Sequence, residues 1–141
     1  MRFLIMVKGN KDTEANKMPD EKLIADMTAF HEELARAGVL LDASGLQLTS
    51  KGIRIRYLKG KRTIIDGPFT ESKELIAGYT LIQVKSREEG LEWAKRFPAP
   101  FGEENDGEIE VRQLMGLEDF GPSVAMDRFR ELKKDLPSNR V

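Results

Sequence analysis

Four ionisable side chains surround a Gly-Pro turn: Asp66, Glu71, Lys73 and Glu74. Pro68 fixes its own φ, lacks an N–H group and keeps the preceding Gly67 out of the α region. The chain must therefore turn here, and the turn holds Asp66 at the end of the strand before it. Because loops beside strand ends often carry functional side chains, this turn is the first candidate site.

Asp66 has two interpretations. In the first, its carboxylate accepts hydrogen bonds from the backbone N–H groups of Phe69 or Thr70 in an Asx turn, which is a structural role. In the second, Asp66 is a general base or a carboxylate that orients a substrate in a cleft. The two roles can coexist, because a carboxylate has two oxygens.

The charged residues after the turn, Glu71, Lys73 and Glu74, are most simply a solvated charge run or an ion pair that holds the loop. Alternatively, Lys73 neutralises an anionic ligand and one glutamate shares a proton with Asp66. Two carboxylates held close together have pKa values that move apart, which would supply an acid–base pair.

His31 is the only histidine in the chain, and histidine is the side chain that ordinarily titrates near pH 7. At about 100° per residue, it lies at the edge of the apolar stripe that contains Ile24 and Met27. The simplest interpretation is a half-buried histidine bonded to a backbone carbonyl, and a catalytic role is the weaker alternative. One histidine and no cysteine also argue against the common metal sites, so no metal is expected.

Three strand arginines are candidate ligand-binding residues. Arg54 and Arg56 share one face of a strand with period-2 alternation, and Arg112 lies in the last predicted strand. A solvated outer face explains them most simply, whereas a face turned inward would bind carboxylate or phosphate groups. Arg112 is expected to pair with Glu110 or with an acidic residue of the turn.

Composition limits the class of protein. A chain of 141 residues predicts one domain. Its 23 basic and 24 acidic residues give a net charge of −1, which argues against nucleic-acid binding. No apolar run reaches the roughly 20 residues that span a bilayer. The absence of cysteine fits a reducing compartment, so a cytoplasmic protein is expected. No nucleotide-binding motif occurs either, and no cofactor is expected.

Hydrophobic periodicity predicts a mixed α+β domain. The apolar pattern between Pro19 and Gly38 is clearly helical. Pro19 suits the first turn of this first helix, and Gly38 stops it. In chain order the predicted elements are a strand at 2–8, a loop at 9–18, a helix at 19–37, a strand at 39–48, a hairpin at 53–66, a strand at 79–84, a helix between 86 and 98, and a strand at 109–114. This order is the ferredoxin-like βαββαβ plan with an inserted β-hairpin.

Residues 117–141 lie outside that plan, so the chain is divided into a domain at 1–116 and a helical extension at 117–141. Ser123 is the expected N-cap of an extra C-terminal helix. Its apolar face comprises Ala125, Phe129, Leu132 and Leu136. Because this stripe is narrow, the helix is expected to pack on the domain or on a neighbouring subunit.

The run from Asp66-Gly67-Pro68-Phe69 through Glu-Ser-Lys-Glu-Leu-Ile-Ala-Gly to Tyr79 resembles the signature of the YCII-related family, in particular the branch named for the letters DGPF. The resemblance covers about residues 1–115. It implies a dimeric α+β barrel in which two four-stranded sheets meet face to face and the motif lines a cleft. In the YciI branch a helix histidine pairs with an aspartate, but ungapped alignment places Met27 there, not His31.

The resemblance implies two functions. The first is a cofactor-independent, isomerase- or lyase-like enzyme that moves a proton on a small polar or aromatic molecule. Asp66 would be the base, and Lys73 or an arginine would stabilise the anion. The second is a non-catalytic ligand-binding or regulatory module associated with an extracytoplasmic-function sigma factor. In either case the predicted ligand-binding residues are Arg54, Arg56, Phe69, Glu71, Lys73, Glu74 and Arg112, in a homodimer.

Overall fold

The computed structural model describes residues 1–70 and 74–137 as a mixed α+β protein. The strands are β1 (Arg2–Lys8), β2 (Leu40–Gly45), β3 (Ile53–Leu58), β4 (Lys61–Asp66), β5 (Ile76–Gln83) and β6 (Ile109–Gln113). The helices are α1 (Lys11–Glu14), α2 (Glu21–Arg36), α3 (Arg87–Lys95) and α4 (Val124–Asp135).

The main sheet has four antiparallel strands in the order β2-β5-β1-β6. Along β5, Thr80 and Ile82 are buried, whereas Tyr79 and Leu81 are half-buried. Since neighbouring side chains of a strand point to opposite faces, the sheet has a helical face and an open face. The open face carries the side chains of Leu4, Met6, Tyr79 and Leu81.

The hydrophobic core lies between the helical face and helices α2 and α3. Phe3, Ile5 and Ile82 of the sheet pack with Phe30 and Leu34 of α2. The Phe30 ring also meets the ring of Phe97 edge to face, with 5.4 Å between centroids. Burial of this one face is what fixes the strand register, because a slip of one residue would turn the apolar side chains away from the helices.

Helix α2 is confirmed, but it begins at Glu21, two residues later than predicted. Asp20 is the N-cap, and its carboxylate accepts a hydrogen bond from the Leu23 amide at 2.8 Å. Because Asp20 is the N-cap residue and bonds the Leu23 amide, the helix begins after it, and Pro19 lies before the helix. At the other end, Gly38 has a φ of +74°, as expected for a residue just beyond a helix.

Three other boundaries differ from the sequence prediction. The predicted loop at 9–18 contains α1, which a reciprocal pair of hydrogen bonds between Asn10 and Thr13 caps. Strand β2 ends at Gly45, three residues early, and β5 begins at Ile76, three residues early. These strand ends follow the ladder between β2 and β5, in which Gly45 pairs with Gly78.

The C-terminal helix α4 begins as predicted, because the Ser123 hydroxyl accepts a hydrogen bond from the Met126 amide at 2.9 Å. Its apolar side chains Phe129, Leu132 and Leu136 each stay about half exposed, so the domain does not bury the apolar face of this helix. The alternative packing on a neighbouring subunit stays a prediction. Among the residues described, no helix is long and apolar enough to cross a bilayer.

Candidate functional site

The turn at residues 66–69, called the 66–69 loop below, is docked on the turn at Thr49–Lys51. The Gly67 amide donates to the Gly52 carbonyl at 3.0 Å, and the Phe69 amide donates to Thr49 Oγ1 at 3.0 Å. A Cβ atom on Gly67 would lie 1.7 Å from the Thr49 carbonyl oxygen. Only glycine allows this approach of the two backbones.

Glu14, at the end of α1, holds Thr49 in place. The Glu14 Oε2 atom accepts a hydrogen bond from the Thr49 hydroxyl at 2.8 Å and one from the Thr49 amide at 3.3 Å. Because the hydroxyl hydrogen points to Glu14, the lone pairs of Thr49 Oγ1 are free to accept the Phe69 amide. Hydrogen bonds thus connect α1 to the 66–69 loop. Sequence reasoning missed both residues, because 35 positions separate them.

Asp66 is exposed at the end of β4. The Phe69 amide is bonded to Thr49, so the Asx turn between Asp66 and Phe69 is wrong, because the threonine hydroxyl satisfies that amide instead. In the β3–β4 register, Asp66 pairs with Ile53, and Ile55 pairs with Ile64. Residues directly opposite share a face, so Asp66 lies on an apolar face of the hairpin.

Arg54 and Arg56 lie on the opposite face of the hairpin, because they pair with Ile65 and Thr63. The hairpin therefore separates both arginines from Asp66. The Arg54 guanidinium stacks over the Phe69 ring, with 3.9 Å from Cζ to the centroid. Such a contact is worth about 0.5–1 kcal/mol at an exposed site. Arg54 and Phe69 thus help to hold the loop, and Arg56 is exposed to solvent.

A recess beside the loop has a volume of about 30 Å³. Its lining includes the Glu14 side chain, residues 46–49 and residues 75–77. That volume accommodates one or two water molecules, since a single water needs at least about 10–15 Å³ on this measure. Ligand pockets usually measure roughly 300–1,000 Å³. The recess of a single protomer is therefore too small for an aromatic molecule.

A larger cleft of about 370 Å³ lies at the other end of the main sheet, where β1 begins and β5 and β6 end. Its lining is mostly polar and comprises Met1, Arg2, Gln83, Gln113, Leu114, Met115, Gly116, Glu118 and Asp119. Sequence reasoning did not predict it, because these residues are contributed by three strand ends and the segment after β6. Its size is compatible with a small ligand.

His31 lies between α2 and the helical face of the sheet, and both of its ring nitrogens have partners. Nδ1 is 2.7 Å from the Met27 carbonyl oxygen, and Nε2 is 2.8 Å from Thr80 Oγ1. A carbonyl can only accept, so Nδ1 donates its hydrogen to Met27, and Nε2 shares the second hydrogen bond with the Thr80 hydroxyl. The half-buried histidine bonded to a backbone carbonyl is confirmed. Its nitrogens contact Met27 and Thr80, not Asp66.

We expect His31→Gln to keep most of the ligand affinity or activity and to lose about 1–2 kcal/mol of unfolding free energy. Glutamine can replace one of the two hydrogen bonds, but it cannot fill the place of the ring beside Phe30 and Phe97. Urea unfolding measures the loss. Thr80→Val removes the same hydrogen bond from the other side and is the matched control. A drop of 100-fold or more in kcat/KM with folding intact would contradict this structural role, because loss of a general base usually lowers the rate by about 10²–10⁴-fold.

The open face of the sheet carries two polar groups of residues. The Tyr79 hydroxyl donates a hydrogen bond to Asp42 Oδ2 at 2.8 Å, and this bond to Asp42 raises the pKa of Tyr79. Glu110 pairs with Lys8 at 3.3 Å and with Arg112 at 3.8 Å. The expected pairing of Arg112 with Glu110 is therefore confirmed. Tyr79 and Asp42 were not singled out from the sequence.

The predicted site residues do not form a single cluster in one protomer. Asp66 is on one face of the hairpin, Arg54 and Arg56 are on the other, and Arg112 is on β6. Glu74 is exposed. Glu71 and Lys73 lie outside the described residues, so their expected roles stay predictions.

Comparison with known proteins places the chain in a family. Residues 1–118 match the model of the YCII-related domain. One relative is an uncharacterised protein from Rhizobium meliloti, which is 31% identical over 99 residues and aligns over 70% of this chain and 78% of that protein.

Among solved structures, a 5-chloro-2-hydroxyhydroquinone dehydrochlorinase from Burkholderia phenoliruptrix AC1100, in complex with 2,5-dihydroxybenzoquinone, is similar with a TM-score of 0.44. The two chains are 16% identical, and the match covers 82% of this chain and 94% of that chain. From the match of residues 1–118, the chain belongs to the YCII-related family.

Proposed function

We propose that this protein belongs to the DGPF branch and is a homodimeric enzyme that moves a proton on a small polar or aromatic molecule without an organic cofactor. Asp66 is the proton acceptor in this proposal. The observation that carries it is the hydrogen bond from the Phe69 amide to Thr49 Oγ1 at 3.0 Å. Since Thr49 satisfies that amide, this hydrogen bond of the turn does not depend on the Asp66 carboxylate.

The anchoring of the loop suits a general base. Proton abstraction requires the base within hydrogen-bond distance of the proton, so its backbone must be held in one position. Gly52, Thr49 and Glu14 together provide that support through backbone and side-chain hydrogen bonds. The anion that forms on the substrate requires a positive charge nearby, and Lys73, seven residues after Asp66 in the sequence, is the candidate.

The homodimer is supported by exposed apolar surface. On the Asp66 face of the hairpin, Ile53, Ile55, Tyr57 and Ile64 are 46–66% exposed. A lone two-stranded hairpin is only marginally stable in water, so such a surface calls for a partner. The strand order and the two helices on one face fit a ferredoxin-like domain. Two open faces in contact would form a dimeric α+β barrel with an interface of roughly 1,600 Å².

Dimerisation also bears on the size of the site. The recess of about 30 Å³ beside the 66–69 loop is too small for a substrate on its own. A second protomer packed against the hairpin face would add walls to this recess and enclose a larger cleft. In the proposal, the substrate therefore binds between the protomers, with Asp66 at the boundary.

Hydrogen–deuterium exchange at carbon tests the proposed chemistry without knowledge of the product. Hydroxyquinols, hydroxyquinones and enolisable keto acids are incubated with the protein in D₂O and followed by proton NMR. We expect protein-dependent loss of one carbon-bound proton signal in at least one of these compounds. The variant Glu88→Gln, altered on the exposed surface of α3, should behave as the wild type. Binding of such a compound without exchange would contradict the enzyme and favour a binding module.

A further inference from the structure

The hairpin at residues 53–66, called the hairpin below, is strongly basic in a chain of opposite net charge. It contains five cations and one carboxylate, a net charge of +4, whereas the whole chain has −1. Its cations are Arg54, Arg56, Lys59, Lys61 and Arg62, and all are exposed. In the described part of the chain, no carboxylate forms a salt bridge with any of them.

One face of the same hairpin is apolar. Ile53 is 56% exposed, Tyr57 is 64% exposed and Ile64 is 66% exposed, and Ile55 lies between them. Together these side chains expose on the order of 400 Å², the size at which a surface patch usually has a function. Lys59, Lys61 and Arg62 surround the turn at the end of this apolar face, whereas Arg54 and Arg56 lie on the opposite face. An apolar surface with cations at one end fits a partner whose surface is apolar with acidic residues at its margin.

An acidic segment of that kind lies elsewhere in the chain. Between α3 and β6, four exposed carboxylates occur within six residues: Glu103, Glu104, Asp106 and Glu108. The Lys8 amide donates to the Glu108 carbonyl at 3.0 Å, which ties this segment to the end of β1. Lys8 also pairs with Ile76, the first residue of β5 after the hairpin. The hairpin and the acidic segment are therefore at the same end of the main sheet.

They are nevertheless on opposite edges. The hairpin follows β2, the acidic segment precedes β6, and β2 and β6 are the two edge strands. With strands about 4.8 Å apart, roughly 14 Å of sheet separates the two edges. The two charged surfaces of one protomer thus face away from each other across β5 and β1.

A two-fold axis brings them together. If two open faces meet about an axis parallel to the strands, β2 of one protomer lies beside β6 of its partner, and the same ends of the two sheets coincide. Each hairpin then reaches the acidic segment of the other protomer. A closed dimer contains this contact twice, so both basic hairpins and both acidic segments are neutralised.

We infer that the hairpin binds a second copy of this chain, with its apolar face on the partner's β6 edge and the cations at its turn, Lys59, Lys61 and Arg62, on the partner's acidic segment at 103–108. This inference rests on the proposed homodimer and specifies which surfaces form it. Asp66 lies at the base of the apolar face, in register with Ile53. The partner would therefore cover the side of the hairpin from which Asp66 projects and would complete the cleft.

Two charge-reversal variants test the contact. Lys59→Glu with Lys61→Glu makes the hairpin acidic, and Glu104→Lys with Glu108→Lys makes the segment basic. Each variant alone places like charges in both contacts, so the dissociation constant of its dimer should rise at least about tenfold. In an equimolar mixture both contacts unite opposite charges, and we expect a one-to-one heterodimer. Sedimentation velocity gives the dissociation constants, and native mass spectrometry distinguishes the heterodimer from either homodimer.

The control variant Lys85→Glu with Lys95→Glu makes the same change of charge beside and within α3, and it should dimerise as the wild type. Wild type that sediments as a monomer at micromolar concentration would overturn the proposed homodimer together with this contact. Wild-type dimers with unaffected charge-reversal variants, or a mixture without heterodimer, would overturn the contact alone. Circular dichroism checks that every variant is folded, and the recovery of dimerisation on mixing cannot arise from misfolded chains.

Discussion

Asp66→Asn should lower the rate of deuterium exchange by at least about 100-fold, the lower range of what a general base contributes. The asparagine oxygen still accepts hydrogen bonds, but the amide cannot take up a proton at neutral pH. The melting temperature should change little, because Gly52 and Thr49 hold the loop without using this carboxylate. Proton NMR of the exchanging compound gives the exchange rate, and thermal unfolding gives the melting temperature.

Glu88→Gln is the matched control for this experiment, since it removes one exposed carboxylate in the first turn of α3 and leaves the 66–69 loop unchanged. It should affect neither exchange nor stability. If Asp66→Asn instead lost several kcal/mol of unfolding free energy while ligand binding and exchange stayed intact, Asp66 would have a structural role. Surface substitutions usually change the unfolding free energy by no more than roughly ±0.5 kcal/mol.

Gly67→Ala should destabilise the protein by about 2–4 kcal/mol, among the largest effects of a single added methyl group. The new Cβ would lie 1.7 Å from the Thr49 carbonyl oxygen, so one of the two backbones must move. That movement would break the bond from the Gly67 amide to Gly52 and the bond from the Phe69 amide to Thr49. Denaturant unfolding measures the loss, and faster proteolysis within the hairpin would report undocking of the loop.

Gly52→Ala is a close control, because it adds the same methyl group to the other side of the same contact. There the new Cβ would lie 3.5 Å from Thr49 O, an ordinary van der Waals distance. We expect a change of less than about 1 kcal/mol. Equal losses for the two variants would show that the cost comes from replacing any glycine of this turn, not from the close approach at Gly67.

Much of the fold could be predicted from the sequence, because apolar periodicity and caps are local signals. Gly38 and Ser123 mark helix ends, and the alternation in β3 indicates a strand. Helix α1 was missed because its four residues have no apolar repeat and include no buried residue. Its only local signal is the capping box between Asn10 and Thr13.

The candidate site was predictable only in part. The sequence shows that Arg54 and Arg56 share a face, but the position of Asp66 relative to them depends on the turn between β3 and β4. Lys59 and Gly60 have φ values of 48° and 82°, as in the tight turns preferred by hairpins. Counting outward from this pair matches Ile53 with Asp66 and separates Asp66 from the arginines.

The support of the loop depends on a contact that no local signal marks. Glu14 ends a short helix and Thr49 begins a turn, and neither residue type is unusual at its position. Only the folded chain brings the two together, because the ends of β1 and β2 flank the start of β5. Sequence reasoning therefore found the loop and its aspartate, but not the residues that hold them.

The hairpin forms a two-stranded sheet of its own, separate from the main sheet. Its hydrogen-bond ladder can therefore open while the core between α2 and β5 remains folded, as a local unfolding unit. If the partner covers its apolar face, the ordering of the hairpin and the association of two chains become a single coupled equilibrium. The fraction of complete sites per chain then falls on dilution, and protein concentration itself would regulate the proposed activity.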